Sequence, residues 1–197
     1  MVKAFRDMKY EQCKAEACLY YAWTVFGLIL WVTWVDDCLV VGKPEGVKVA
    51  KEQLMARFDC DEVGNMDEYV GCKLERNFED RWIKITQPVL LQSFSDEFGV
   101  TAENAPGTPA EPGSVLVAGE EADELSPVRK SKYRTGVGKL LHMMRWSRPD
   151  ILNAVRELSR FMSGKGTVSI HEIVMNRTIH YCIGTPEHGL VSNPDCV

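Results

Sequence analysis

The sequence predicts an α+β fold, with an antiparallel sheet and helices first and an all-α region after them. Short β-branched and aromatic runs, broken by turn residues, fill residues 19–41 and 69–86. Three amphipathic helical patterns follow residue 127. Between these parts, residues 101–127 contain four prolines and three glycines, which is typical of a linker or a long surface crossing. The sequence-based division is therefore 1–100, a linker at 101–127, and 128–197.

The first part combines two hairpins with three helices. Apolar spacing predicts a short helix near the start and a helix that begins at Pro44, and a third helix begins at Pro88 and ends at Gly99. Alternating β-formers between turn residues predict strands at Leu19–Trp23, Leu28–Val35, Cys38–Val41, Tyr69–Asn77 and Trp82–Thr86.

The last part reads as three helices. Apolar residues at helical spacing mark the first helix around Val137 and Leu140, and Pro149 opens the second. Ser169 and Glu172 form the Ser-x-x-Glu pattern of a capping box, which predicts where the third helix begins.

A membrane-spanning helix is the alternative for the first strands, because Ala17–Val35 is a run of 19 uncharged residues. Gly27 and three tryptophans spread along the run favour the hairpin, since interfacial tryptophans gather at the ends of a span. No basic, apolar leader opens the chain, and the seven cysteines include no CxxC pair. We therefore expect no membrane and no signal peptide, and an intracellular protein with reduced thiols.

Charge is distributed unevenly. The chain has a net charge of −5, but residues 128–166 hold ten Lys and Arg against two Asp and Glu, a local balance of +8. Such a block can bind a polyanion, or it can form an ordinary solvated helix surface.

Two adjacent aspartates, Asp36 and Asp37, interrupt the first apolar region. On a tight hairpin turn both carboxylates can reach one edge of the sheet, where they repel each other unless a cation shares them. Mg²⁺ prefers oxygen ligands and often combines one or two carboxylates with substrate phosphates. The pattern is thus consistent with a metal site, or with a polar turn that keeps the hairpin tip in water.

Trp34-Val35-Asp36-Asp37, between two apolar strands, resembles the Tyr-x-Asp-Asp box of reverse transcriptases in its copia-type retrotransposon form. The similarity extends along the chain in the order of that family. Further matching segments are "KAEACLYY" (14–21), the hairpin from Tyr69 with its "I-x-x-x-Q" exit, "PGTP" (106–109), the "RPDI" and "LSRF" stretches within 133–162, and His171 to Thr185.

The resemblance implies a partial polymerase palm followed by a thumb-like region. Asp36 and Asp37 would hold two Mg²⁺ ions for nucleotidyl transfer, and Trp34 would keep an aromatic surface without the usual tyrosine hydroxyl. The implied partners are an RNA or DNA template-primer and deoxynucleotides. The residues implied to contact nucleic acid are Trp34, the primer-grip-like Tyr69, Gly71 and Lys73, and the thumb-like Arg145, Arg148, Arg156 and Arg160.

A further aspartate and the nucleotide pocket of the family have no candidate in this sequence. We therefore expect a piece of a Gag-Pol polyprotein, inactive alone, whose partners include the missing fingers and ribonuclease H parts. Its expected location is the cytoplasm or a virus-like particle. Two alternatives stay open, namely a non-catalytic nucleic-acid-binding remnant and a degenerate open reading frame.

Overall fold

A computed structural model describes residues 2–64, 66–69, 71–163 and 165–193. Its contacts divide the chain into two compact units, Met1–Gly64 and Asn65–Val197. Two antiparallel four-stranded sheets and six α-helices lie in the described residues, which confirms the α+β class.

The first unit is a four-stranded sheet with two helices. Its strands follow one another in chain order, because each is joined to the next by a short turn. In chain order its elements are α1 Val2–Asp7, β1 Glu11–Gln12, β2 Leu19–Thr24, β3 Gly27–Trp34, β4 Asp37–Val41 and α2 Pro44–Met55.

One face of this first sheet forms the core of the unit. Tyr20 lies opposite Trp31 across β2 and β3, and both side chains are buried. The Phe5 ring of α1 stacks on Tyr20 with the ring centroids 4.3 Å apart, and Leu54 of α2 is buried in the same cluster. The uncharged run therefore folds as strands, as predicted. No helix in the described residues is long and apolar enough to cross a membrane.

The second unit contains the second sheet and four helices. Its elements are β5 Glu68–Tyr69, β6 Cys72–Asn77, β7 Trp82–Thr86, α3 Pro88–Phe98, α4 Pro127–Trp146, α5 Leu152–Ser159, α6 Ser169–Gly184 and β8 Leu190–Ser192. Short 3-10 turns lie at Glu121–Asp123 and Pro149–Ile151. Helices α3 to α6 enclose one apolar core around Phe94, Val137, Leu158 and Ile179.

Helix boundaries in this unit follow the sequence signals closely, with one exception. Gly99 ends α3 in the left-handed conformation, at φ +68°, as its position predicted. The predicted capping box at Ser169 is wrong, because Ser169 lies inside α6 and Val168 precedes the helix. Glu172, the other half of that pattern, instead pairs with Arg129 of α4.

The region after residue 127 is not entirely helical. Strand β8 pairs with β7, with Val191 opposite Lys84, so the chain returns to the edge of the second sheet after α6. A three-residue strand of this kind has too short a pattern to stand out in the sequence. The compact units also divide the chain at a different place from the sequence-based division, since the hairpin of β6 and β7 belongs with the helices.

The Pro-rich segment crosses the surface of α6. Arg177 of α6 donates to the Thr108 hydroxyl at 3.2 Å, and the Thr178 hydroxyl donates to the Pro109 carbonyl at 3.1 Å. Gly184 leaves room for Ala105, because a side chain at 184 would overlap the Ala105 methyl. The "PGTP" stretch is therefore an ordered surface crossing.

Candidate metal and nucleic-acid site

The β3–β4 hairpin carries Asp36 and Asp37 at its tip, as predicted. Trp34 pairs with Asp37 across the two strands, so Val35 and Asp36 form a two-residue turn. Both aspartates are exposed, and Trp34 remains 53% exposed beside them. The turn thus presents two carboxylates and one indole to solvent at one end of the sheet.

Val35 occupies a strained backbone conformation in this turn. Its φ is +51°, a region that β-branched residues rarely adopt and that hairpin turns usually give to Gly or Asn. This conformation costs on the order of 1–2 kcal/mol. Burial of the Val35 side chain offsets little of that cost, because the side chain is 81% exposed. The paired flanking strands hold the turn in place, and strain of this kind concentrates at functional sites.

The two carboxylates have the character of hard metal ligands. Within the described ranges, neither Asp36 nor Asp37 forms an ion pair or a hydrogen bond through its side chain, so their oxygens are open to a cation. Mg²⁺ could take these oxygens together with phosphate and water oxygens. The part of the chain that the structure describes holds no cluster of three His, Cys, Asp or Glu residues arranged for a metal. The pair by itself therefore offers two carboxylate ligands, fewer than the six that Mg²⁺ takes in its octahedral geometry.

The thiol of Cys38 follows directly on this pair. Burial raises the pKa of the Cys38 thiol, and the neighbouring Cys60 and Asp37 raise it further. The thiol is therefore in its neutral form beside the tip at physiological pH, and it is a poor competitor for a hard cation.

The residues predicted to act as a primer grip lie at the β5–β6 turn, which divides the predicted strand Tyr69–Asn77 into two short antiparallel strands. Tyr69 lies opposite Cys72, and Gly71 makes the turn between them at φ +75°. Val70, which belongs to the same sequence motif, lies outside the described residues. Lys73 is exposed but donates to Glu75 at 2.9 Å, and this contact raises the pKa of Lys73. Its charge is thus partly offset before any ligand arrives.

The +8 block is partly neutralised by three acids from elsewhere in the chain, which lower its local balance from +8 to +5. Three of its cations bind carboxylates that lie outside 128–166, and the pairs are Arg129–Glu172, Lys130–Glu124 and Lys139–Glu97. The linear charge count could not reveal these pairs, because the partners are 6 to 43 residues away. The block is therefore a weaker polyanion-binding surface than its charge count predicts, although it stays positive.

Arg148 must be removed from the predicted phosphate-binding set. It is 2% exposed, and it binds Asp150 with two nitrogens, each 2.9 Å from a carboxylate oxygen. The same guanidinium donates to the carbonyl and hydroxyl of Thr185 at 3.1 and 2.9 Å. All of these contacts are internal, so Arg148 joins the 3-10 turn that precedes α5 to the end of α6.

Arg156 and Arg160 are exposed, as predicted, but they share one acid. Glu157 lies 3.5 Å from the Arg156 guanidinium and 2.6 Å from that of Arg160. The hydrogen bond from Arg160 is the main cause of the lowered pKa of Glu157, so this acid is ionised and offsets one of the two charges.

Two arginines on α4 have no such partner. Arg145, which was predicted, and Arg134, which was missed, are exposed and pair with no acid among the residues that the structure describes. Gly138 lies on the same helix face, with open space where a side chain would be. The two arginines are 11 residues apart, or about 16.5 Å along the helix. Helical spacing alone would have shown that 134, 138 and 145 share a face.

A known retrotransposon polyprotein is similar to this chain over most of the chain's length. The chain is 26% identical over 166 residues to the "Retrovirus-related Pol polyprotein from transposon TNT 1-94" of Nicotiana tabacum, a match that covers 82% of the chain. The chain resembles a retrotransposon Pol polyprotein. The match spans only 12% of that polyprotein's length. No protein-family model matches the chain, and no solved structure does.

Proposed function

We propose that this chain is the later part of the palm, together with the thumb, of a copia-type reverse transcriptase, an RNA-directed DNA polymerase. The observation that carries the proposal is the hairpin with Trp34 beside Asp36 and Asp37 at an exposed tip. The order of the family-like segments along the chain and the similarity to a retrotransposon Pol polyprotein support it.

In this proposal the tip residues divide the chemistry between them. Mg²⁺ would supply charge stabilisation for in-line attack of the primer hydroxyl on the incoming nucleotide. Asp36 and Asp37 would fix the metal positions by offering carboxylate oxygens from a turn whose geometry the strands hold. Trp34 would place an apolar face beside the primer end, without a hydroxyl to donate.

A chimera tests the proposal directly. Residues 28–41 would replace the corresponding hairpin of an active copia-type reverse transcriptase, and primer extension would be measured with Mg²⁺. We expect activity that falls at least about 100-fold in Asp36→Asn and in Asp37→Asn, because several kcal/mol of metal-dependent stabilisation are lost. The matched control is the same chimera with Val41→Thr, because Val41 is exposed at the end of this hairpin that lies away from the tip.

For the chain alone we expect no primer extension, since the described residues offer two clustered carboxylates for the metals and no third. An inactive chimera, or an active chimera that tolerates both Asn substitutions, would contradict the proposed role of the hairpin. Extension by the chain alone that Asp36→Asn abolishes would contradict only the expectation of inactivity.

A non-catalytic nucleic-acid-binding protein is the second candidate, and the α4 face supports it. Arg134 and Arg145 are exposed arginines that pair with no acid among the described residues, and Gly138 between them lets a backbone approach closely. Contacts of this kind bind phosphates without reading sequence, so the affinity should depend steeply on salt.

We expect the double variant Arg134→Gln/Arg145→Gln to bind a labelled RNA–DNA duplex more weakly and to lower the log–log salt slope by about 1.8, or 0.9 per phosphate contact. Fluorescence anisotropy between about 50 and 200 mM salt measures both quantities. The control Arg156→Gln/Arg160→Gln removes the same charge from residues that already share Glu157, and it should have the smaller effect. If the two double variants lost the same affinity, net charge alone would account for the binding.

A further inference from the structure

His171 is a fully buried imidazole in the first turn of α6. Its ring lies against Phe161, with the ring centroids 4.0 Å apart, and it approaches Tyr133 of α4 edge-on. Nδ1 lies 3.0 Å from the backbone N of Val168 and 3.3 Å from the Val168 carbonyl oxygen. The shorter contact is an N–H that donates to Nδ1, and it places the proton of the neutral ring on Nε2. Nε2 is buried and has no hydrogen-bond partner among the described residues.

Val168, the partner of this ring, also belongs to a backbone clamp. We define the clamp as the contacts that tie residues 119–125 to residues 166–168. Val168 forms a β-bridge with Glu124, and the Leu125 N–H donates to the Thr167 carbonyl at 2.8 Å. The Gly119 N–H donates to the Gly166 carbonyl at 3.0 Å. The clamp therefore holds the end of the surface-crossing segment against the residues that precede the N-terminal end of α6.

A proton on Nδ1 would disturb this arrangement in three ways. The ring would face the Val168 N–H with a donor instead of an acceptor. Its positive charge would lie at the N-terminal end of α6, where the helix dipole is also positive. The charge would also be buried against the Phe161 ring, away from water.

The titratable groups around the ring do not compensate for such a charge. Tyr133 of α4 stays neutral, since burial raises its pKa far above the ordinary range. Glu124 of the clamp is bound by Lys130 and by the Gly166 N–H, and Glu172 of α6 by Arg129. Burial lowers the pKa of His171 and outweighs the backbone groups of Val168 and Val117, which favour the charged ring.

We propose that His171 is an acid-sensitive latch, and that its protonation below about pH 6.5 opens the clamp and frees residues 117–125 while the remaining helical core stays folded. The sign follows from the neutral folded form, because its stabilising contribution is complete above the ordinary imidazole pKa of about 6.5 and decreases as the pH falls below it. Glu124 stays ionised in this range, since the hydrogen bond from Lys130 lowers its pKa.

Amide hydrogen exchange followed by NMR, corrected for the pH dependence of intrinsic exchange, tests the latch in the full chain. Between pH 7.5 and 5.0 we expect opening of the Gly119, Leu125 and Val168 amides to rise by up to about 30-fold, the limit set by an exposed imidazole of pKa about 6.5. Amides in the middle of α4 should not follow this rise.

The decisive variant is His171→Gln, because a glutamine at this helix position can accept the Val168 N–H and does not titrate. Its clamp should open to the same extent at both pH values, whereas the exposed-histidine control His142→Gln should behave like the parent chain. The proposal would be overturned if opening of the clamp amides depended on pH in His171→Gln as strongly as in the parent chain. It would also be overturned if this opening did not rise at low pH in the parent chain, or if it rose equally in all helices. Should His171→Gln fail to fold, the NMR titration of the His171 ring in the parent chain decides, since a pKa at or above 6.5 would overturn it.

Discussion

Replacing Arg148 with methionine is expected to lower the free energy of unfolding of this chain by about 3 kcal/mol or more, the lower part of the range for breaking a buried ion pair. The guanidinium is buried, whereas the Asp150 side chain is 38% exposed, and this partial exposure is the reason for choosing the low end. The substitution would leave the Thr185 carbonyl and hydroxyl without their donor. It would also remove the cation 5.1 Å from the centre of the Tyr181 ring.

Urea denaturation measures the loss, and Arg145→Met is the matched control. Arg145 precedes Arg148 by three residues but is exposed, so its substitution should change the unfolding free energy by less than about 0.5 kcal/mol. A loss below about 1 kcal/mol in Arg148→Met would show that these internal contacts contribute little. It would also return Arg148 to the set of residues available for phosphate.

Asp150 makes the stability contributed by its contacts with Arg148 and Tyr181 depend on pH. Burial opposes ionisation of this carboxyl, but the hydrogen bonds from Arg148 and Tyr181 outweigh it and hold the pKa of Asp150 below its ordinary value of 3.8. Its contribution to stability is therefore present above about pH 4 and decreases as the pH falls through the folded pKa. Arg148→Met should lose this part of the acid sensitivity.

Local sequence signals predicted most of the fold because each depends on neighbouring residues. The tip of the first hairpin follows from two acids between β-branched runs, and the end of α3 follows from Gly99. The net charge of α4 did not follow, because the carboxylates of Glu97, Glu124 and Glu172 that pair with its cations come from other parts of the chain. A count of charges along the chain cannot include pairs that form only on folding.

The same limit applies to single residues of the candidate site. The "RPDI" stretch indicated a phosphate contact at Arg148, yet the acid two residues later binds that arginine internally. Arg134 was missed because its availability for phosphate binding depends on whether an acid pairs with it in the folded chain. Residue type and spacing predicted the position of Asp36 and Asp37 better, because a hairpin turn needs only its own two strands to present them.

Two glycines on α4 provide a matched test of how closely α4 and α6 pack. A Cβ at Gly136 would lie 2.4 Å from the sulfur of the buried Met175 and 3.0 Å from the ring of Phe98, whereas a Cβ at Gly138 would meet nothing within 4 Å. Of these two glycines, only Gly136 is therefore needed for the close approach of α4 and α6.

We expect Gly136→Leu to destabilise the chain by about 3 kcal/mol or more, the upper part of the range for overpacking a core, because Leu adds three carbons beyond a Cβ that already does not fit. Gly138→Leu should stabilise it by somewhat under 1 kcal/mol, the gain in helix propensity of Leu over Gly. That gain is common to both positions, so the difference between the two unfolding free energies in urea isolates the packing cost at Gly136. If both variants were stabilised equally, α4 and α6 would be farther apart than the contacts at Met175 require, and the core assigned to these helices would have to be revised.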